Sequence, residues 1–127
     1  MFELEFRELV RDALKDQIPD ETQISWGVGA DGTKFPAALI YCKTETDLKA
    51  FGGSAGISRS TVRVDLWSED VLTGIRMKNA IKVLDSFEPV EGGFISEITI
   101  TEIGNTKHSV DNSTVFQFMV DFVVWHN

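Results

Sequence analysis

Cysteine is almost missing from this chain of 127 residues. Cys42 stands alone, which excludes a disulfide within the chain and a cysteine-rich metal site. Its setting, Ala38-Leu39-Ile40-Tyr41-Cys42, reads as a core position that any small apolar residue would fill. Histidine is nearly as scarce, with only His108 and His126. Neither has a partner at the spacing of a metal site, and both read as solvated or singly hydrogen-bonded. Cations are few as well: 12 Lys and Arg face 20 Asp and Glu, a formal charge of −8. Such a surface repels phosphates, so a nucleic-acid reader is disfavoured, whereas DNA sliding past without sticking is allowed. No apolar run approaches the roughly 20 residues of a membrane span. The start, Met1-Phe2-Glu3-Leu4-Glu5-Phe6-Arg7, has neither the charge pattern of a signal peptide nor that of a transit peptide, so the expected place of synthesis and release is a cytosol.

Apolar residues make up 43% of the chain, enough for a packed core, and the length suits one domain over residues 1–127. Phe2, Phe6, Leu9, Val10, Ala13 and Leu14 recur at helical spacing and predict a helix that ends near Gln17, before Pro19. Ile24, Trp26 and Val28 alternate as a short edge strand, and 29–34 is a turn by composition. A strand from Ala37 to about Thr46 follows. Asp47 to Ser58, with Gly52, Gly53 and Gly56, reads as a flexible loop closing an extended hairpin against Thr61–Trp67. Ser68 is the expected cap of a second helix that runs to about Phe87 with an apolar surface including Leu72 and Val83. Strands Phe94–Ile103 and Thr114–His126 flank a polar loop, 104–113. On the last strand Phe116, Phe118, Val120, Phe122 and Val124 share one face. The predicted fold is α+β: two helices on a mainly antiparallel sheet, in the order α-β-β-β-α-β-β, with a long glycine-rich hairpin loop.

No catalytic template survives. Gly27-Val28-Gly29-Ala30-Asp31-Gly32 has the spacing of a dinucleotide fingerprint but is followed by another strand, not a helix. Phe51-Gly52-Gly53-Ser54-Ala55-Gly56 lacks the lysine and hydroxyl of a phosphate loop. Glu97, Glu102 and Asp121 fall in strands and read as outward polar positions on a half-covered sheet. The expectation is a protein without catalytic, metal or cofactor residues. Trp26, Trp67 and Trp125 are open to either core packing or interface anchoring, Trp67 evenly so. In the glycine-rich segment, Lys49, Phe51, Gly52, Gly53 and Arg59 are the candidate contacts, because a chain poor in cations gains by setting them against an acidic partner.

Several stretches together carry a family resemblance. Phe35-Pro36 opens the strand Ala37–Tyr41. Gly52-Gly53-Ser54-Ala55-Gly56 precedes Arg59–Trp67 and a helix, and Asp121-Phe122-Val123-Val124-Trp125-His126 closes the chain. In these the sequence resembles the tail terminator, or tail completion, proteins of long-tailed bacteriophages and gene transfer agents. The resemblance implies a structural virion protein, assembled in the host cytoplasm into a hexameric ring at the head-proximal end of the tail. Its implied partners are other copies of itself, the tail tube protein whose polymerisation it stops, and the head–tail connector. DNA would pass the lumen without specific binding, and no membrane is involved. Two rivals stand beside it: another connector or minor tail protein, and a dimeric ferredoxin-like enzyme or binding module. The usual βαββαβ order of the latter disagrees with three strands between the helices.

Overall fold

The computed structural model describes residues 1–27, 34–50 and 53–127, with side chains for all of these but 49, 50, 53–55 and 110. Its elements are α1 (Phe2–Leu14), β1 (Ile24–Trp26), β2 (Ala37–Ala50), β3 (Gly53–Ser68), α2 (Val71–Ile81), β4 (Ile95–Val110) and β5 (Ser113–His126), with 3-10 turns at Glu21–Gln23 and Lys82–Ser86. The strands form one sheet in the order β1-β2-β3-β5-β4. Only the β1–β2 pairing is parallel. The expected class and element order are therefore present. The turn expected at 29–34 falls, apart from Lys34, outside the described residues.

Both helices lie on one face of the sheet. Phe2, Phe6, Val10 and Leu14, one per turn of α1, are buried on that side. They meet Ile40 from β2, Val62, Val64 and Leu66 from β3, and Phe118, Val120, Phe122 and Val124 from β5. The alternation read from the last strand thus marks the core face. α1 ends three residues before the expected Gln17, where the Ile18 amide donates to the Leu14 carbonyl at 2.7 Å.

The cap of α2 is Asp70, not Ser68. Asp70 Oδ2 accepts from the Thr73 amide at 3.0 Å and from its hydroxyl at 2.8 Å. Ser68 belongs to β3, and its hydroxyl accepts from the Asp70 amide and donates to the Asp70 carbonyl. The helix is also shorter than its apolar pattern suggested: past Ile81 it tightens into the 3-10 turn that buries Leu84. Leu72 and Val83, read as part of its apolar surface, are half or more exposed. The polar segment 104–113 is strand rather than loop. β4 and β5 run on to a two-residue turn at Asp111 and Asn112, both at positive φ (48° and 65°), where such residues are tolerated. Its polarity reflects exposure beyond the helices, not irregular backbone.

Gly74 shows how closely α2 approaches the sheet. A Cβ there would collide with the buried ring of Phe118. Alanine would add about 1 kcal/mol of helix propensity, but overpacking costs about 1–3 kcal/mol. Gly74→Ala should therefore lower the melting temperature, and Gly74→Ala with Phe118→Leu should recover part of the loss. An unchanged or raised melting temperature for the single variant would contradict this packing.

Candidate functional site

The strand registers leave two hairpin arms at opposite ends of the sheet. β3 and β5 pair from Ser58↔His126 to Ser68↔Phe116. Beyond Ser58, β2 and β3 continue alone, through Asp47↔Ser58, Lys49↔Ser54 and Ala50↔Gly53. The glycine-rich stretch expected as a flexible loop is thus, where described, a paired β-arm. One strand residue separates Asp47 from Lys49, while three separate Ser54 from Ser58, so the arm contains a bulge. Gly56 sits in it at φ +73°, a conformation that favours glycine. Composition alone misread this segment because Gly56 serves a bulge within paired strands. At the other end, β4 and β5 outrun β3 beyond Phe116.

The sequence-predicted contact residues are dispersed over this frame. Lys49 and Gly53 lie on the first arm, and Phe51 and Gly52 fall outside the described residues. Arg59 stands at the arm's base, its guanidinium 5.8 Å from the centre of the Trp125 ring. Trp67 shares the helix-free face with Arg59 but lies eight residues along β3, about 27 Å away. It is half-buried and packs against His108, with ring centres 5.3 Å apart, so it belongs neither wholly to core nor to surface. His108 also bonds Gln117 through Nε2 at 2.9 Å.

Between them the helix-free face carries charges that composition did not reveal. Asp121, expected as an outward polar position on a half-covered sheet, is only 4% exposed. Arg63 donates to both of its oxygens, at 2.7 and 3.2 Å, and Lys43 reaches it at 3.2 Å. The register of β2 slips at Lys43, leaving that residue unpaired opposite β3 and free to reach across. Burial pushes the Asp121 carboxyl up, but Arg63 and Lys43 outweigh it and hold the group below its ordinary range. The same pairing raises the Arg63 guanidinium. Asp65, two residues away on β3, has the opposite balance. It is 5% exposed, and burial raises its pKa against the weaker pull of Gln117 and Arg63. Its Oδ1 is buried without a hydrogen-bond partner. The recess beside Arg63 and Asp121 measures about 40 Å³, room for a water or two and no substrate.

A serine–histidine pair lies under α1. His126 is buried, not solvated: Nε2 is 2.8 Å from Ser60 Oγ, Nδ1 is 3.0 Å from the Asn127 carbonyl, and the ring stacks on Phe2 at 3.6 Å. Ser60 has no solvent exposure, so no substrate carbonyl can approach its hydroxyl. Cys42, expected in the core, is exposed because β2 there extends past β1. Partial desolvation pushes its thiol up, Glu45 and Glu3 adding to the effect, which is the reverse of an activated thiolate. Among the described residues no three His, Cys, Asp or Glu groups converge on a metal position, and no helix is long and apolar enough to cross a membrane.

No family model and no curated protein matches this sequence. Among solved structures, a chain of the "Virion of native gene transfer agent (GTA) particle" superposes with a TM-score of 0.59 at 8% identity, covering 95% of this chain and 94% of that one. At that identity the likeness is one of fold. A second solved chain, 19% identical over 92% of this chain, has a TM-score of 0.36, too low to carry an argument.

The two buried aspartates should respond oppositely to amidation. Asp65 has a raised folded pKa, so its ionisation costs stability at neutral pH and that cost vanishes once acid protonates it in both states. Asp65→Asn should raise the melting temperature at pH 7, with a gain that shrinks as the pH falls below the carboxylate range. Asp121 has a lowered folded pKa, so its contribution is present above the unfolded pKa and is lost as pH falls through the folded one. Asp121→Asn should cost about 2 kcal/mol at pH 7 and progressively less in acid. Thermal melts of both variants from pH 3 to 8 test the pair, and a shift of the same sign at pH 7 would refute the assignment.

Proposed function

We propose that this chain is a structural protein of a phage-like particle: a tail terminator that closes into a ring of six on the head-proximal end of the tail tube. There it stops tube polymerisation and provides the seat for the head connector. The observation that carries this reading is the correspondence of fold with a gene transfer agent virion chain along nearly the whole of both chains. The sequence motifs that resemble tail terminators point to the same class independently. The formal charge of −8 supports it too, since a ring of such subunits lets DNA pass without holding it.

In this reading the β2–β3 arm is the contact element toward the tube or the adjacent subunit. Lys49, Phe51, Gly52 and Gly53 serve at its tip and Arg59 at its base, with Trp67 as an anchor on the helix-free face. A paired arm makes a better contact element than a loose loop, because less backbone entropy is lost on docking. The other connector and minor tail proteins differ from this reading in where they act, not in chemistry. A dimeric ferredoxin-like module is disfavoured by the parallel β1 strand and the three strands between the helices.

Two measurements test the proposal. Purified protein, alone and with tail tube protein, should give a mass of six subunits and ring-shaped particles with an open centre by electron microscopy. Particles made without it should carry tails of irregular length that lack heads. A persistent dimer under both conditions, or tails of normal length in its absence, would defeat the reading. Shortening 48–56 to a tight turn should leave the fold intact and abolish tail joining.

A further inference from the structure

A groove opens where the β4–β5 arm outruns α2. Its floor is Phe116 and Phe118, its wall Ile75 and Val71, and Lys78 and Lys107 stand at its rims, enclosing about 430 Å³. Neither lysine has an ion-pair partner among the described residues, although this chain has an excess of carboxylates. Lys78 lies 5.9 Å from the centre of the Phe118 ring, so its charge already sits over apolar surface. An apolar floor between two unpaired cations fits an apolar side chain flanked by acids.

This chain carries such a segment at the other end of the sheet. After the 3-10 turn, Glu88-Pro89-Val90-Glu91 leads into a tight turn closed by the Gly93 amide on the Val90 carbonyl at 3.0 Å. Gly92 takes φ +80° at the position where such a turn needs it. Val90 is 61% exposed and has acids on both sides. The turn enters β4 at Ile95, whereas the groove lies against Lys107, twelve residues and about 40 Å along the same strand. One molecule cannot therefore fill its own groove.

We propose that the Val90 turn of one copy docks in the Lys78–Lys107 groove of the next, head to tail. Such a contact joins two different surfaces, and its repetition closes a ring where the rotation between copies closes, as the ring reading requires. The inference rests on the ring reading above and names the surfaces that build it.

Charge reversal on each side separately tests it. Lys78→Glu with Lys107→Glu, and Glu88→Lys with Glu91→Lys, should each weaken self-association roughly a hundredfold by sedimentation, with unchanged melting temperature. An equimolar mixture of the two variants should assemble again, because each reversed surface then meets its complement on the other variant. Assembly of either variant as well as the wild type, or failure of the mixture to recover, would refute this pair of surfaces while leaving the ring itself standing. A wild-type chain that stays monomeric at every concentration, with and without tube protein, would defeat both.

Discussion

The Asp121 carboxylate joins three strands at one point of the sheet. It lies on β5, takes two hydrogen bonds from Arg63 on β3, and takes a third from Lys43 on β2. Its neighbours on β4 also adapt to it: the register slips at Thr101, whose hydroxyl donates to the Asp121 carbonyl. A one-residue slip between β3 and β5 would turn the core side chains of the slipped strand toward solvent. It would also tear Arg63 from Asp121 and leave a buried charge alone, which is far costlier than losing an exposed pair. The hydrophobic alternation and the ion cluster therefore specify the same register from opposite faces. A second slip, at Ser96, ends in the same way, with its hydroxyl on the Trp125 carbonyl. The long edge strand β4 is bent rather than flat, which blunts it against indiscriminate pairing.

With register secured, coverage becomes the second determinant. Two helices of 13 and 11 residues cannot span strands of 14 to 16 residues, given 1.5 Å per helical residue and about 3.3 Å per strand residue. The strands must protrude, and they do so at both ends as paired arms. The segments beyond the helices are polar or glycine-rich because nothing in the subunit buries them. Surfaces of this kind, left bare within the subunit, are open to contacts with other chains.

Ser60 and His126 illustrate how tertiary placement can remove chemistry. Their hydrogen bond has the length of a nucleophile–base couple, yet Phe2 covers the ring and the hydroxyl is sealed. Both ring nitrogens are occupied within the fold. Burial assigns the pair to packing between the first turn of α1 and the last residues of β5, which ties the two chain ends together.

Much of this architecture was legible in residue order. Periods of 3.6 and 2 in Phe2–Leu14, Val62–Leu66 and Phe116–Val124 report which side chains leave water, and burial follows from that directly. The acidic excess and the lone cysteine likewise needed no structure to disfavour a nucleic-acid reader and to exclude a disulfide within the chain. What residue order could not settle was anything decided by a partner distant in sequence. Gly53 and Gly56 looked like part of a loop because pairing across a hairpin leaves little local trace. Asp121 looked like an ordinary outward polar position because Arg63, 58 residues away, carries the reason it can be buried. His126 looked free because its cover is Phe2. The Lys78–Lys107 groove exists only where α2 stops short of an arm, so its members, spread over three elements, form a surface in the folded chain alone.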